Sequence, residues 1–167
     1  MYDRLRASLA TLEPSTLVSG GAAFADHLAV RAFLRGDAGR LDLHLPARLG
    51  DDGFEGHPDA RTANVYHARF SEALGIDSLD EIERALRAGA TATVHPGYAA
   101  RNAHVATSDA VMAFTAGGRG RDTTGATAAE AGLKGGGTAK TWDMARTPHK
   151  VHVDLSALAR RAGAVAT

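Results

Sequence analysis

Short β-type runs alternate with segments of helical period along this chain, and that alternation limits the fold more than any other feature. "TLVS" (16–19), "LDLHL" (41–45), "ATATVH" (90–95), "AVMAFT" (110–115) and "KVHVDL" (150–155) have the length and apolar content of strands. Between them lie amphipathic helical patterns. Ala25, Leu28, Ala29, Ala32 and Phe33 share one helical face that ends before Gly36. Tyr66, Phe70 and Leu74 share another. Ser78 and Glu81 form a capping-box pattern that opens a helix carrying Leu79, Ile82 and Leu86, closed by Gly89. A helix containing "RNAHVA" separates the third and fourth strands, and Thr138–Arg146 is expected to be helical with Trp142 and Ala145 inward. Strands alternating with helices imply a parallel sheet covered on both faces. The expected fold class is α/β, a Rossmann-like three-layer sandwich with a mostly parallel sheet.

The remaining segments are simpler. Leu5, Leu9 and Leu12 predict a helix over 3–12, broken at Glu13-Pro14-Ser15. Residues 47–61 are polar, with glycines at 50, 53 and 56, and read as a loop or small insertion. Residues 116–136 hold seven glycines and little apolar material, which predicts a mobile loop. A short helix and a frayed tail follow the last strand. No internal repeat is visible.

The totals narrow the function classes. A length of 167 residues suggests one domain over 1–167. Nineteen basic residues balance nineteen acidic ones, which argues against a nonspecific nucleic-acid binder. The chain has no cysteine, so disulfides, thiolate metal sites and a cysteine nucleophile are excluded. No apolar run approaches the ~20 residues that span a bilayer. The charged N-terminus "MYDRLRASLATL" does not read as a secretory signal. These features suit a cytoplasmic protein with no membrane partner.

Three segments point to a ligand. In α/β sheets, ligands bind beyond the C-terminal ends of strands, near helix N-termini. Ser19-Gly20-Gly21-Ala22 follows the first strand, and Asp26 falls in the first turn of the helix after it. "HPGYAARN" (95–102) turns the chain after the third strand and places Arg101 and Asn102 at a helix start. Arginine can pair with a phosphate, and asparagine can read a base edge or a ribose hydroxyl. "KGGGTAKTW" (134–142) opens a helix with Gly136, Gly137 and Thr138, whose N–H and hydroxyl groups suit a phosphate. It is not a P-loop, because Lys140 follows the threonine instead of preceding it. For each segment the alternative is a turn or helix cap with no ligand. All three follow strands, so all are expected along one edge of one sheet.

Together, "SGGAAFADHLAV", "GYAARN" and "GGGTAKTWDMA" resemble the signature segments of the SLOG superfamily of Rossmann-like proteins. That group includes DprA, the LOG phosphoribohydrolases and the small YspA-like branch, whose SGGAxGAD pattern the first segment is similar to. The resemblance covers about residues 15–155. It implies binding of a nucleotide or nucleotide-derived ligand through Ser19, Gly20, Gly21, Ala22, Asp26, Arg101, Asn102, Gly136, Gly137 and Thr138, by a sensor or a weakly active relative of nucleotide-processing enzymes. No cofactor is expected. The chain departs from the pattern in three places. Phe24 stands where the family has a small residue, usually glycine. Thr141 stands where LOG enzymes carry a catalytic glutamate. The chain begins with a helix where the family begins with a strand, so that strand is either absent or truncated.

Two competing readings follow from the same resemblance. One is a LOG-like N-glycosidic hydrolase of nucleoside monophosphates, for which Glu130 is the nearby carboxylate to nominate. The other is a DprA-like single-stranded-DNA binder, disfavoured by the neutral charge and by nine aromatic residues. A homo-oligomer is compatible with each.

Other constellations are weaker. His149 and His152 would face opposite sides of a strand, which is poor geometry for a shared metal. His95 ends a strand and points toward the expected site. Asp51, Asp52, Glu55 and Asp59 read as a solvated loop. Asp26 and His27 are neighbours on a helix, so a Ser19–Asp26–His27 hydrolase is disfavoured. No metal site is expected.

Overall fold

A computed structural model describes residues 1–11 and 16–165. The expected break at Glu13-Pro14-Ser15, the place of Leu12 and the last two residues of the tail lie outside the described residues. The chain is α/β, with parallel strands joined by helices, and so of the Rossmann-like class. It groups into two compact units, Tyr2–Arg101 and Asn102–Thr167 with Met1.

In the first unit, α1 (Tyr2–Leu9) precedes β1 (Thr16–Ser19), α2 (His27–Leu34) and β2 (Arg40–Leu45). A hairpin of β3 (Arg48–Gly50) and β4 (Gly53–Glu55) leads to α3 (Pro58–Leu74), α4 (Ser78–Arg87) and β5 (Thr91–Val94). The sheet order is β1-β2-β5, all parallel, with Leu17 opposite Leu41 and Leu45 opposite Val94. Helix α5 (Gly97–Val105) follows β5.

Period-2 alternation explains β2. Leu41, Leu43 and Leu45 are buried on one face, while Asp42 and His44 lie on the other. The leucines pack with Val30, Ile82 and Ala85 as the centre of the core. Leu9, Ala32 and Ala38 form a smaller cluster under α1.

Several local expectations are corrected here. Within 47–61, read as a loop or small insertion, residues 48–55 form an antiparallel hairpin turning at Asp51-Asp52, and helix α3 already begins at Pro58. The buried face of α3 is Ala60, Ala63, His67 and Phe70, whereas Tyr66 and Leu74 are exposed. The cap of α4 is Asp77, whose carboxylate accepts from the N–H groups of Leu79 and Asp80. Ser78 is buried one position later, and Glu81 turns to His27 instead of closing a capping box.

The second unit holds β6 (Val111–Thr115), α6 (Gly137–Met144), β7 (Lys150–Asp154) and α7 (Leu155–Val165). β6 and β7 pair in parallel, Val111 opposite Lys150. Trp142 is fully buried and Ala145 is buried, as their helical spacing predicts. The glycine-rich segment 116–136 is tied into this unit. Ala128, Ala131 and Leu133 pack with Trp142, and Thr123 bridges to His152. Two parallel sheets thus stand where one was expected. The Ser19–Ala22 and 95–102 segments leave the C-terminal ends of β1 and β5 in one sheet. The Gly136–Thr138 segment leaves β6 in the other.

Candidate functional site

The turn between β1 and α2 is built around its two glycines, for two different reasons. Gly21 has φ +62°, a left-handed conformation that favours glycine, and a Cβ there would overlap Leu45 Cδ2. Gly20 needs no special φ. A Cβ on it would fall inside the guanidinium of Arg101. What comes close to this backbone is therefore the chain's own arginine.

Arg101 corrects the sequence reading most. It is the fifth residue of α5, not its start, and it is 6% exposed. Its Nη1 donates to Asp26 Oδ2 at 2.9 Å. Its Cζ lies 5.4 Å from the centre of the Tyr98 ring. Its Nε is buried with no hydrogen-bond partner. Asp26 occupies the N-cap position of α2 but makes no capping bond; its half-exposed carboxylate faces Arg101.

The same turn is pinned from below. Ser19 Oγ donates to the Asp26 carbonyl at 2.9 Å and accepts from the Gly21 N–H at 3.2 Å. That N–H is thus already satisfied within the turn. His67 is buried against the Gly21 carbonyl, with Nε2 at 3.0 Å, while its Nδ1 lies 2.9 Å from Ser78 Oγ. Burial pushes the His67 imidazole down to about 4, against the opposing pull of the Gly21 carbonyl. The ring is neutral near pH 7, with Nε2–H donating to Gly21 and Nδ1 accepting from Ser78. His27 is also held below its ordinary value by burial, with Glu81 opposing at 2.7 Å. It meets Phe70 edge-on, 5.3 Å between ring centres.

Beside this turn is a recess of about 210 Å³. Ala22, Phe24, Pro46, Tyr66, His67 and Tyr98 contribute to its walls. Phe24 is half exposed and packs on Phe70 at 5.2 Å. Its φ is +65°, and among the described residues it is the non-glycine residue with positive φ. Such strain persists where surrounding structure or function holds it. A position with this φ favours glycine.

The other candidates sit in the second unit. Gly136 has φ +131° and caps α6 without a side-chain bond; Gly137 and Thr138 are exposed. Asn102 lies near them, its Nδ2 3.5 Å from where a Cβ on Gly137 would stand. Thr141 Oγ1 donates to the Gly137 carbonyl. Glu130 is exposed, and its carboxylate, which accepts from the Thr127 N–H, is held below its ordinary range by that bond.

Residues of the other constellations have partners elsewhere. Ser19 bonds the Asp26 backbone and His27 bonds Glu81, so no triad forms among them. Glu55 pairs with Arg48, and Asp59 accepts from the Tyr98 N–H. His149 is exposed before β7, while His152 is buried within it.

An uncharacterized protein of Acanthamoeba polyphaga mimivirus is 34% identical to this chain over 142 residues, covering 84% of the chain and 71% of the viral protein. The chain belongs to that protein's family. No protein-family model matches it, and no solved structure matches it significantly. Among the described residues, no helix is long and apolar enough to cross a membrane.

His67, like Tyr66 and Tyr98 of the recess, was missed as a site residue by sequence reasoning. A histidine within "NVYHARF" looks like a polar helix position. The available signal was its spacing, since Ala60, Ala63, His67 and Phe70 follow each other by three, four and three residues.

Proposed function

We propose that the first unit binds a nucleoside or nucleotide-derived ligand at the β1–α2 turn, as a sensor or weakly active relative of nucleotide-processing enzymes. The observation that carries this reading is an aromatic recess beside a half-exposed carboxylate. Phe24, Tyr66 and Tyr98 offer faces on which a base stacks, and stacking on aromatic side chains contributes ~1–3 kcal/mol per base. Asp26 is an acceptor for sugar hydroxyls, and Arg101 fixes its orientation from behind.

This differs in one respect from a phosphate cradle. Arg101 is already neutralised by Asp26, and the Gly21 N–H is held by Ser19. A phosphate at Arg101 would meet the Asp26 carboxylate. The ligand part held here is thus the base and sugar. The SLOG resemblance supports the same ligand class and stays part of the proposal, as does a cytoplasmic location for a chain with no cysteine. Asn102, Gly136, Gly137 and Thr138 form a separate candidate group in the second unit. Hydrolysis is not favoured, because Thr141 supplies no carboxylate and Glu130 is engaged in its own turn.

Calorimetric titration of the full chain with adenosine, guanosine, cytidine, uridine and their 5′-monophosphates tests this. Binding of at least one nucleoside, weakened about tenfold or more by Phe24→Ala, is expected. No binding across the panel, or equal binding by the variant, overturns it.

A further inference from the structure

We infer that His44 and His95 form a binding site for a single divalent transition-metal ion of the imidazole-binding class, such as Zn²⁺, Ni²⁺ or Cu²⁺. Both histidines belong to the first unit, and the inference is independent of the nucleoside reading. His44 Nδ1 and His95 Nε2 face each other at 2.9 Å. Metal–imidazole bonds are ~2.0–2.1 Å long, so two ligands at the right angle of a tetragonal Ni²⁺ or Cu²⁺ ion sit roughly 2.9 Å apart, and two at the tetrahedral angle of Zn²⁺ roughly 3.3 Å apart. The two nitrogens have the right-angle separation, and the rings face each other nearly end to end, so a turn of both rings aims both lone pairs at one ion.

The backbone fixes this spacing. His44 lies on β2, the central strand of its sheet, one residue before its end. His95 follows β5 directly, and its N–H donates to the Leu45 carbonyl at 2.8 Å, extending the parallel ladder by one step. Pro46 then accepts from the Gly97 N–H at 2.9 Å. Each histidine is half-buried, and their rings lie 5.1 Å apart at 35°. The pair sits at the C-terminal ends of adjacent parallel strands, where α/β sheets hold ligands.

Without metal, one ring donates its N–H to the other across the 2.9 Å gap. Metal binding needs both facing lone pairs. Each neutral ring then carries its proton on its other nitrogen, and no proton is lost. Two imidazoles favour zinc, copper and nickel over magnesium or calcium, which prefer oxygen ligands.

The test is titration of the full chain with Zn²⁺ or Ni²⁺, followed by calorimetry, with the Cu²⁺ form read by electron paramagnetic resonance. One equivalent should bind, and the Cu²⁺ spectrum should show ligation by at least two imidazole nitrogens. His44→Gln and His95→Gln should each weaken binding at least tenfold, while His149→Gln leaves it unchanged. Circular dichroism melts of the metal-free proteins identify any variant that does not fold. If one glutamine variant fails to fold, the other and the Cu²⁺ spectrum of the unmodified chain decide. Absence of one-equivalent binding, or equal loss in His149→Gln, overturns the site. So does binding undiminished in a folded His44 or His95 variant.

Discussion

The guanidinium of Arg101 lies where a side chain on Gly20 would stand, so the two residues are mutually dependent although they are 81 positions apart in the chain. Gly20 leaves room for a buried arginine, and Arg101 closes over the turn and aims at Asp26. Gly20→Ala would drive the guanidinium out and break its ion pair. Because Asp26 is half exposed, solvent screens that pair, and the expected loss is moderate, ~1–3 kcal/mol. In an Arg101→Ala background the same glycine change should cost much less. A double-mutant cycle from urea unfolding reads the coupling. Equal costs in the two backgrounds would mean that the glycine serves the turn alone.

Phe24→Gly separates stability from binding. Relief of the left-handed φ should gain on the order of 1 kcal/mol, offset by loss of the Phe24–Phe70 contact. Net stability should change little, whereas nucleoside affinity should fall. A thermal melt without ligand and a titration with ligand measure the two effects. A large loss of stability would make Phe24 a packing residue.

Stability should depend on pH through His67. Its folded value near 4 lies below the ordinary 6.5 of the unfolded chain. Between those values the unfolded state binds more protons, so protonation favours unfolding. The contribution is complete above about pH 6.5, is lost as pH falls toward 4, and is flat below that. A shift of this size corresponds to roughly 3 kcal/mol. His27 is lowered in the same direction. Urea unfolding at pH 7.5 and pH 5 should show the loss, and His67→Gln should flatten the slope. An unchanged slope in His67→Gln would place the dependence on another group.

The alternation of strands and helices was readable because β2 and the helices around it bury one face each, and periodicity records burial. The glycine pair was also readable as a place of close approach. Its partner was not. Arg101 is buried because α5 packs its fifth residue against the β1–α2 turn, a tertiary fact with no local signature. Asp77 capping α4 was hidden by the equally plausible Ser78–Glu81 pattern one residue later, until Glu81 is seen bound to His27. The 48–55 hairpin escaped because strands of three residues are too short to show a period. His44 escaped because "LDLHL" displays its leucines and leaves the other face undescribed.

The second unit offers its own test in Lys150. This lysine is buried at the start of β7, and its ammonium donates to the carbonyls of Ala126, Trp142 and Ala145 at 2.9, 3.0 and 2.8 Å. It also lies 5.5 Å from the centre of the Trp142 ring. All three donor positions of the ammonium are thereby used, which offsets the cost of burying its charge. The three carbonyls come from the glycine-rich segment, from α6 and from its end, so one cation gathers the pieces around Trp142. Lys150→Met keeps most of the apolar stem but removes every donor. Leaving buried carbonyls unpaired costs about 1–3 kcal/mol per group, less where water enters. The expected outcome is a loss of at least about 2 kcal/mol in urea unfolding, with the emission of Trp142, the chain's single tryptophan, shifted toward that of exposed indole. An unshifted spectrum with unchanged stability would show that packing of Ala128, Ala131 and Leu133 around Trp142 holds this unit without the lysine.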